Sequence, residues 1–163
     1  MKPPRFAAPA GWIPADPFWQ VETDHSFLSS DGKDGKLMVR YFKRKSGRGL
    51  RARVWFGPES EGPPGHAHGG AIAAVLDEAL GAAAWALGLT VMTARLAVTF
   101  RRAVPLGRTA GVETHVRRAG KIRVVVSGKL IDEHGRVFAE GEGLFLKVPK
   151  ALWRSASTKG GVP

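Results

Sequence analysis

Cysteine is absent from the 163 residues, which rules out a disulfide framework, a thiol nucleophile and a thiolate metal site. No apolar run approaches the ~20 residues of a bilayer span, and the first residues lack a continuous apolar signal core. A soluble cytoplasmic protein is the expectation. No serine sits in a Gly-x-Ser-x-Gly elbow, so a hydrolase triad of that kind is unsupported. Neither a Gly-x-x-x-x-Gly-Lys-Ser/Thr loop nor a Gly-x-Gly-x-x-Gly fingerprint occurs. Acid is scarce in two long stretches. Residues 36–56 hold eight basic residues and no carboxylate, and residues 91–131 hold nine against Glu113 alone.

What remains is a globular composition, 44% hydrophobic and 24% charged, at a length suited to one domain. A formal charge of +11 draws polyanions generally, so nucleic acid, an anionic lipid surface and a phosphate-bearing ligand all stay open on charge alone. Residues 1–34 carry Pro3, Pro4, Pro9, Pro14 and Pro17 with Trp12, Phe18, Trp19 and Phe27 between them. The prolines argue against a regular element, and the aromatics suggest an arm lying along the domain. Residues 35–149 form the expected domain, and 150–163 read as a basic flexible tail.

Within the domain, Leu37–Phe42 and Arg51–Phe56 are strand-like runs joined by a turn at 45–49. Gly69 to about Leu87 is the only long segment free of turn signals, and its Ala-rich composition predicts a helix ended by Gly88. At 100° per residue Ile72, Val75, Leu76, Ala79, Leu80 and Ala83 share an apolar stripe. Gly70, Ala73, Asp77, Gly81 and Ala84 share another side, a lane of small residues holding one carboxylate. Glu78 points elsewhere. Beyond the helix the chain reads as strand: Thr93–Arg101, a strand through Val112 to Val116, Ile122–Ile131 and Val137–Val148. In the first of these Ala94, Leu96, Val98 and Phe100 alternate with Thr93, Arg95, Ala97, Thr99 and Arg101. One long helix between an early strand pair and several antiparallel strands is an α+β pattern.

Chemistry concentrates at Gly62-Pro63-Pro64-Gly65-His66-Ala67-His68-Gly69-Gly70. A Pro/Gly turn delivers histidines and glycines to the helix start, where open N–H groups favour developing negative charge. Asp77 follows ~10 Å along the axis, in a narrow, partly dry lane where desolvation would raise a carboxylate toward working pH. On position alone a catalytic carboxylate and a half-exposed helix aspartate both remain open. His66 and His68 invite a metal, but His25, His115 and His134 stand apart, so no metal site is expected.

These residues resemble the signature of hotdog-fold acyl-CoA thioesterases, in the phenylacetyl-CoA thioesterase-like branch with a His-Gly-Gly motif. Met92–Leu96, Arg101–Gly107 and Ala139–Phe145 also look familial, and the resemblance covers roughly residues 36–148. It implies one long central helix wrapped by a five- or six-stranded antiparallel sheet. It also implies a homodimer with the active site at the subunit contact; a tetramer built on that dimer stays open, and no residue specifies it. Asp77 of one chain would face the His68–Gly70 loop of its partner. By the same resemblance Asp77 activates water or attacks the thioester carbonyl, the Gly70 N–H polarises the carbonyl oxygen, Thr93 positions the water and His68 holds the loop or substrate. Gly69 and His66 would line the substrate.

The substrate would be an acyl-CoA, with coenzyme A as part of the substrate and no separate cofactor. Arg95, Arg101, Arg102, Arg118 and Lys121 are candidates for its phosphates. A non-catalytic acyl-CoA-binding hotdog protein and a hotdog dehydratase or hydratase are the alternatives. A nucleic-acid binder needs aromatics interleaved with the cations, and the strands at 93–131 offer only Phe100. Neither nucleic acid nor a membrane is the expected partner.

Overall fold

The computed structural model describes residues 1–18, 27–28, 32–45 and 49–149. Their elements run β1 (Trp12–Ala15), β2 (Leu37–Arg44), β3 (Leu50–Phe56), a 3-10 turn (Pro58–Ser60), α1 (Gly69–Trp85), β4 (Val91–Phe100), β5 (Thr109–Ala119), β6 (Arg123–Ile131) and β7 (Val137–Lys147). The strands form one sheet in the order β1-β2-β3-β5-β6-β7-β4, with every neighbouring pair antiparallel. This is the expected α+β arrangement of one helix against an antiparallel sheet.

The strand count differs from expectation. The sheet has seven strands, not five or six, because part of the proline-rich arm is a strand. Pro14 stands opposite Phe42 in β1, which lies at the sheet edge. An edge strand needs its donors on one side only, so proline is tolerated there. Beyond β1 the two described arm aromatics differ, since Phe27 is 88% exposed and Phe18 packs inward. Phe18 sits edge-on to Tyr41 and Trp85, with ring centroids 6.3 and 5.7 Å away. Trp19 and the tail at 150–163 lie outside the described residues.

Helix α1 lies in the concave face of the sheet. All six stripe residues are buried, and Ala82, Ala84 and Trp85 join them, so the C-terminal half is enclosed on nearly every side. Val54, Phe56, Val112, Val124, Val126, Leu130 and Phe145 supply the opposing core. The helix closes on Gly88, whose φ of +76° accompanies bonds from its N–H to Trp85 and from Leu89 N–H to the Ala84 carbonyl. Close approach of helix to sheet depends on Gly128 and Gly141, which face each other across β6 and β7. A Cβ on Gly128 would meet Leu80 Cδ2 at 2.8 Å and the Glu113 carbonyl oxygen at 2.9 Å.

Next to Asp77, Glu78 faces inward and accepts a 2.8 Å hydrogen bond from the Tyr41 hydroxyl. Burial, followed by the Glu78 charge and this hydrogen bond, pushes the Tyr41 hydroxyl well above its ordinary value of 10.0.

Gly128→Ala should destabilise the protein by about 1–3 kcal/mol in denaturant melts, since the Glu113 carbonyl belongs to a paired strand and cannot yield. Gly111→Ala, whose Cβ would meet Ile131 at an ordinary 3.6 Å, should be near neutral in the same melts. Tyr41 is the single tyrosine, so phenolate absorbance reports on it alone. Because the folded state holds the proton more tightly than the unfolded chain, its stabilising contribution is complete below pH ~10 and declines as pH rises beyond. Phenolate should therefore appear only well above that pH and together with unfolding. Tyr41→Phe should remove this alkaline loss of stability.

Candidate active site

The loop before α1 is fixed by backbone bonds on both sides. His68 N–H donates to the Ser60 carbonyl at 2.8 Å, and Ala67 N–H donates to Val104 at 2.9 Å. Leu106 N–H donates to Gly65 at 3.0 Å, which ties the turn to the β4–β5 connection. His66 Nδ1 lies 2.8 Å from the Pro64 carbonyl and so carries the ring proton in that contact. His68 is the helix N-cap, and its Nδ1 accepts from the Gly70 N–H at 2.9 Å. The Gly70 donor expected to stand open is therefore occupied by the histidine two residues before it. The N–H groups of Gly69 and Ala71, also in the first turn, have no protein acceptor among the described residues. Phe100, at the end of β4, packs against Gly69.

Asp77 sits farther along the same helix, half-buried in the single chain and not enclosed as the lane of small residues suggested. Its Oδ1 accepts a 2.9 Å hydrogen bond from Thr93 Oγ1. Strict alternation puts Thr93 on the face opposite Leu96, Val98 and Phe100. The structure corrects this. The β4–β7 register shifts between Thr93 and Arg95, so Ala94 is an extra residue. Thr93 pairs with buried Phe145, while Leu96 and Val98 pair with Gly143 and Gly141, placing Thr93 on the helix side with them. The bulge turns the hydroxyl onto Asp77. Among the described residues Asp77 makes no other hydrogen bond, which leaves Oδ2 available to a water or an acyl carbon.

The candidate phosphate ligands divide. Arg101 donates through Nε and Nη2 to Glu140 Oε2 at 3.0 and 2.9 Å, and Lys129 also pairs with Glu140 at 3.2 Å. Hydrogen bonds from Arg101 and Lys129 hold the Glu140 carboxyl below the usual carboxylate range. Arg101 is thus committed to a carboxylate and is a poorer phosphate ligand than expected. Arg95, Arg102, Arg118 and Lys121 are exposed and form no ion pair among the described residues. Arg102 lies beyond the end of β4 near the helix start, whereas Arg118 and Lys121 lie at the opposite end of the sheet. No three His, Asp or Glu side chains gather as a metal-ligand set among the described residues.

A single helix lying in a curled antiparallel sheet, with an Asp–Thr pair on the helix face and a Gly-rich cap before it, defines a hotdog domain. Residues 64–139 match the family model described as thioesterase superfamily. Over that segment, which runs from the loop before α1 into β7, the chain is similar to thioesterase-superfamily domains. It is 33% identical over 122 residues to acyl-coenzyme A thioesterase THEM4 of Xenopus laevis, a match covering 74% of this chain and 54% of that protein. The chain thus spans about half the length of that relative. A crystal structure of a thioesterase superfamily protein superposes with TM-score 0.62 at 30% identity, covering 68% of this chain and 54% of that one. A hypothetical thioesterase from Streptococcus pneumoniae, solved with coenzyme A, gives TM-score 0.61 at 16% identity over 69% of this chain and 86% of its own, and shows the fold alone.

Removing Ala94 tests its assignment as the extra residue. The shortened β4 should pair in simple alternation with Thr93 still opposite Phe145 and facing the helix. A crystal structure of the deletion variant should keep Thr93 Oγ1 within hydrogen-bond reach of Asp77. Loss of that bond, with Thr93 turned to the outer face, would show that Ala94 is not the residue the bulge absorbs.

Proposed function

We propose that the protein is an acyl-CoA thioesterase that hydrolyses a thioester to a carboxylate and free coenzyme A, in the manner of the His-Gly-Gly branch. The observation that carries this is the 2.9 Å contact between Thr93 Oγ1 and Asp77 Oδ1, in a domain whose relatives bear that name. Thr93 fixes one carboxylate oxygen and leaves the other directed at the reacting groups. Asp77 takes a proton from water as that water attacks the carbonyl, or attacks the carbonyl itself. Backbone donors at the partner's helix start stabilise the oxyanion, Gly70 among them once His68 gives way.

Two chains side by side complete the site in this reading. Gly70 and Asp77 of one chain are separated by roughly 10 Å along the helix axis, too far to grip the same carbonyl. Strand β4 supports the pairing, since it is the sheet edge and most of its residues are exposed in the single chain. Crystals of the Streptococcus pneumoniae thioesterase have been made with a threonine and with an aspartate replaced by alanine, sixteen positions apart. Asp77 and Thr93 stand at the same spacing of 16. Arg95 and Arg102 are the candidates for coenzyme A phosphates nearest to β4, with Arg118 and Lys121 more distant. A hydratase would set a histidine beside the carboxylate, whereas His68 caps the helix start and Asp77 faces a threonine.

Asp77→Asn should lower free-thiol release from acyl-CoAs by about 10²–10⁴-fold while leaving the melting temperature and coenzyme A binding nearly unchanged. Thr93→Val should give a smaller loss, carried mainly by kcat. Near-wild-type turnover by the asparagine variant would overturn the catalytic reading in favour of a binding protein.

A further inference from the structure

We propose that the end of the sheet built from the β5–β6 hairpin, the start of β4 and the end of β7 docks on an anionic lipid surface. The inference uses neither Asp77 and Thr93 nor the helix start, and it assigns Arg118 and Lys121 to lipid phosphate and not to coenzyme A. Ile122 stands at the hairpin tip between Lys121 and Arg123 and is 68% exposed. Its carbonyl accepts from Lys147 N–H at 2.8 Å, which joins the tip to the end of β7. Beside it, Met92, Leu146 and Arg123 lie in one register row across β4, β7 and β6. Met92 and Leu146 are 55% and 39% exposed, so a cluster of large aliphatic side chains faces solvent at one end.

Cations surround that cluster. Arg117, Arg118, Lys121, Arg123 and Lys147 form no ion pair among the described residues. Carboxylates on the flanking strands sit back from it: Glu113 and Glu142 lie four residues behind Arg117 and Leu146, roughly 13 Å along a strand. Glu113 is in any case paired with Arg51. An apolar tip ringed by free cations suits the boundary between headgroups and acyl chains, where the aliphatic groups enter and the cations meet lipid phosphate. Stacking aromatics, which a single-stranded nucleic acid would want, are missing from this set of residues. No helix among the described residues is long and apolar enough to cross a membrane, so the contact is peripheral. The expectation of no membrane partner rested on the absence of a span, and the fold is what brings residues 92, 117–123 and 146–147 together.

Co-sedimentation of the whole protein with phosphatidylcholine vesicles, with and without phosphatidylserine, tests the proposal. Binding should need the anionic lipid and weaken with salt. Lys121→Gln with Arg123→Gln should reduce it about 25-fold, roughly fivefold per cation. Ile122→Asp should reduce it further at high salt, where the apolar contribution dominates. Charge reversal of Arg102 and Arg108 at the opposite end should change it less than twofold. Equal losses from both ends would assign the binding to net charge and overturn the proposal. Displacement by millimolar coenzyme A or inorganic phosphate, or stronger binding to a DNA oligonucleotide than to the vesicles, would overturn it as well.

Discussion

Gly128 and Gly141 face each other at the point where Leu76 and Leu80 press onto the sheet, and a Cβ at Gly128 would lie 2.8 Å from Leu80. That absence of side chains lets a helix that is almost wholly apolar sink into the concave face. Once it is seated there, its orientation is set by burial: Ile72, Val75, Leu76, Ala79 and Leu80 must face the sheet. Asp77 follows Leu76 by 100° and therefore emerges beside β4, the last strand on that side. Glu78, another 100° on, turns back toward β2 and finds Tyr41. Two adjacent carboxylates thus acquire different surroundings from one packing constraint. Asp77 meets a hydroxyl at a half-open edge, and Glu78 is hydrogen-bonded to a buried phenol.

Much of this was legible in the chain. The helix boundaries followed from the Pro/Gly turn at 62–65 and from Gly88, and the stripe residues were all found buried. The strand positions followed from alternation. What alternation could not reveal was its own interruption. An extra Ala94 leaves the apolar pattern of Leu96, Val98 and Phe100 intact and alters only what precedes it, so Thr93 reads as outward-facing until the pairing with Phe145 is seen. Pro14 misled in the other direction, because proline excludes an interior strand and not an edge one. The cap was illegible for a different reason. Histidine is not among the usual N-cap residues, and only the extended backbone at His68 brings Nδ1 to the Gly70 N–H.

The net charge divides along similar lines. Arg101 and Lys129 share Glu140, Arg136 pairs with Asp132, and Arg51 pairs with Glu113. These pairs are exposed and screened, so they add little stability. Their consequence is to remove those cations from the set able to attract an anion. One group of cations without an ion pair among the described residues, Arg117, Arg118, Lys121, Arg123 and Lys147, then stands where strands β5 and β7 end and β6 begins. A count over residues 91–131 shows the surplus but not this separation, because the partners of Arg101 and Arg51 come from distant parts of the chain.

The occupied Gly70 donor bears on how a thioester site of this kind would work. A donor left open in the resting protein would be hydrogen-bonded to water and would have to shed it. Here the donor already has an acceptor in His68 Nδ1, so under the proposed function a substrate would exchange one acceptor for another at small net cost. A ground-state thioester oxygen has little advantage over a neutral imidazole nitrogen in that exchange. An oxyanion has a large one, since charged acceptors form hydrogen bonds about twice as strong as neutral ones. The swap would therefore be driven hardest at the tetrahedral stage, which is the differential binding that accelerates a reaction instead of merely tightening the complex. The free Gly69 and Ala71 donors would hold the carbonyl before that stage, giving the first turn of α1 a division of labour that a bare His-Gly-Gly motif does not disclose.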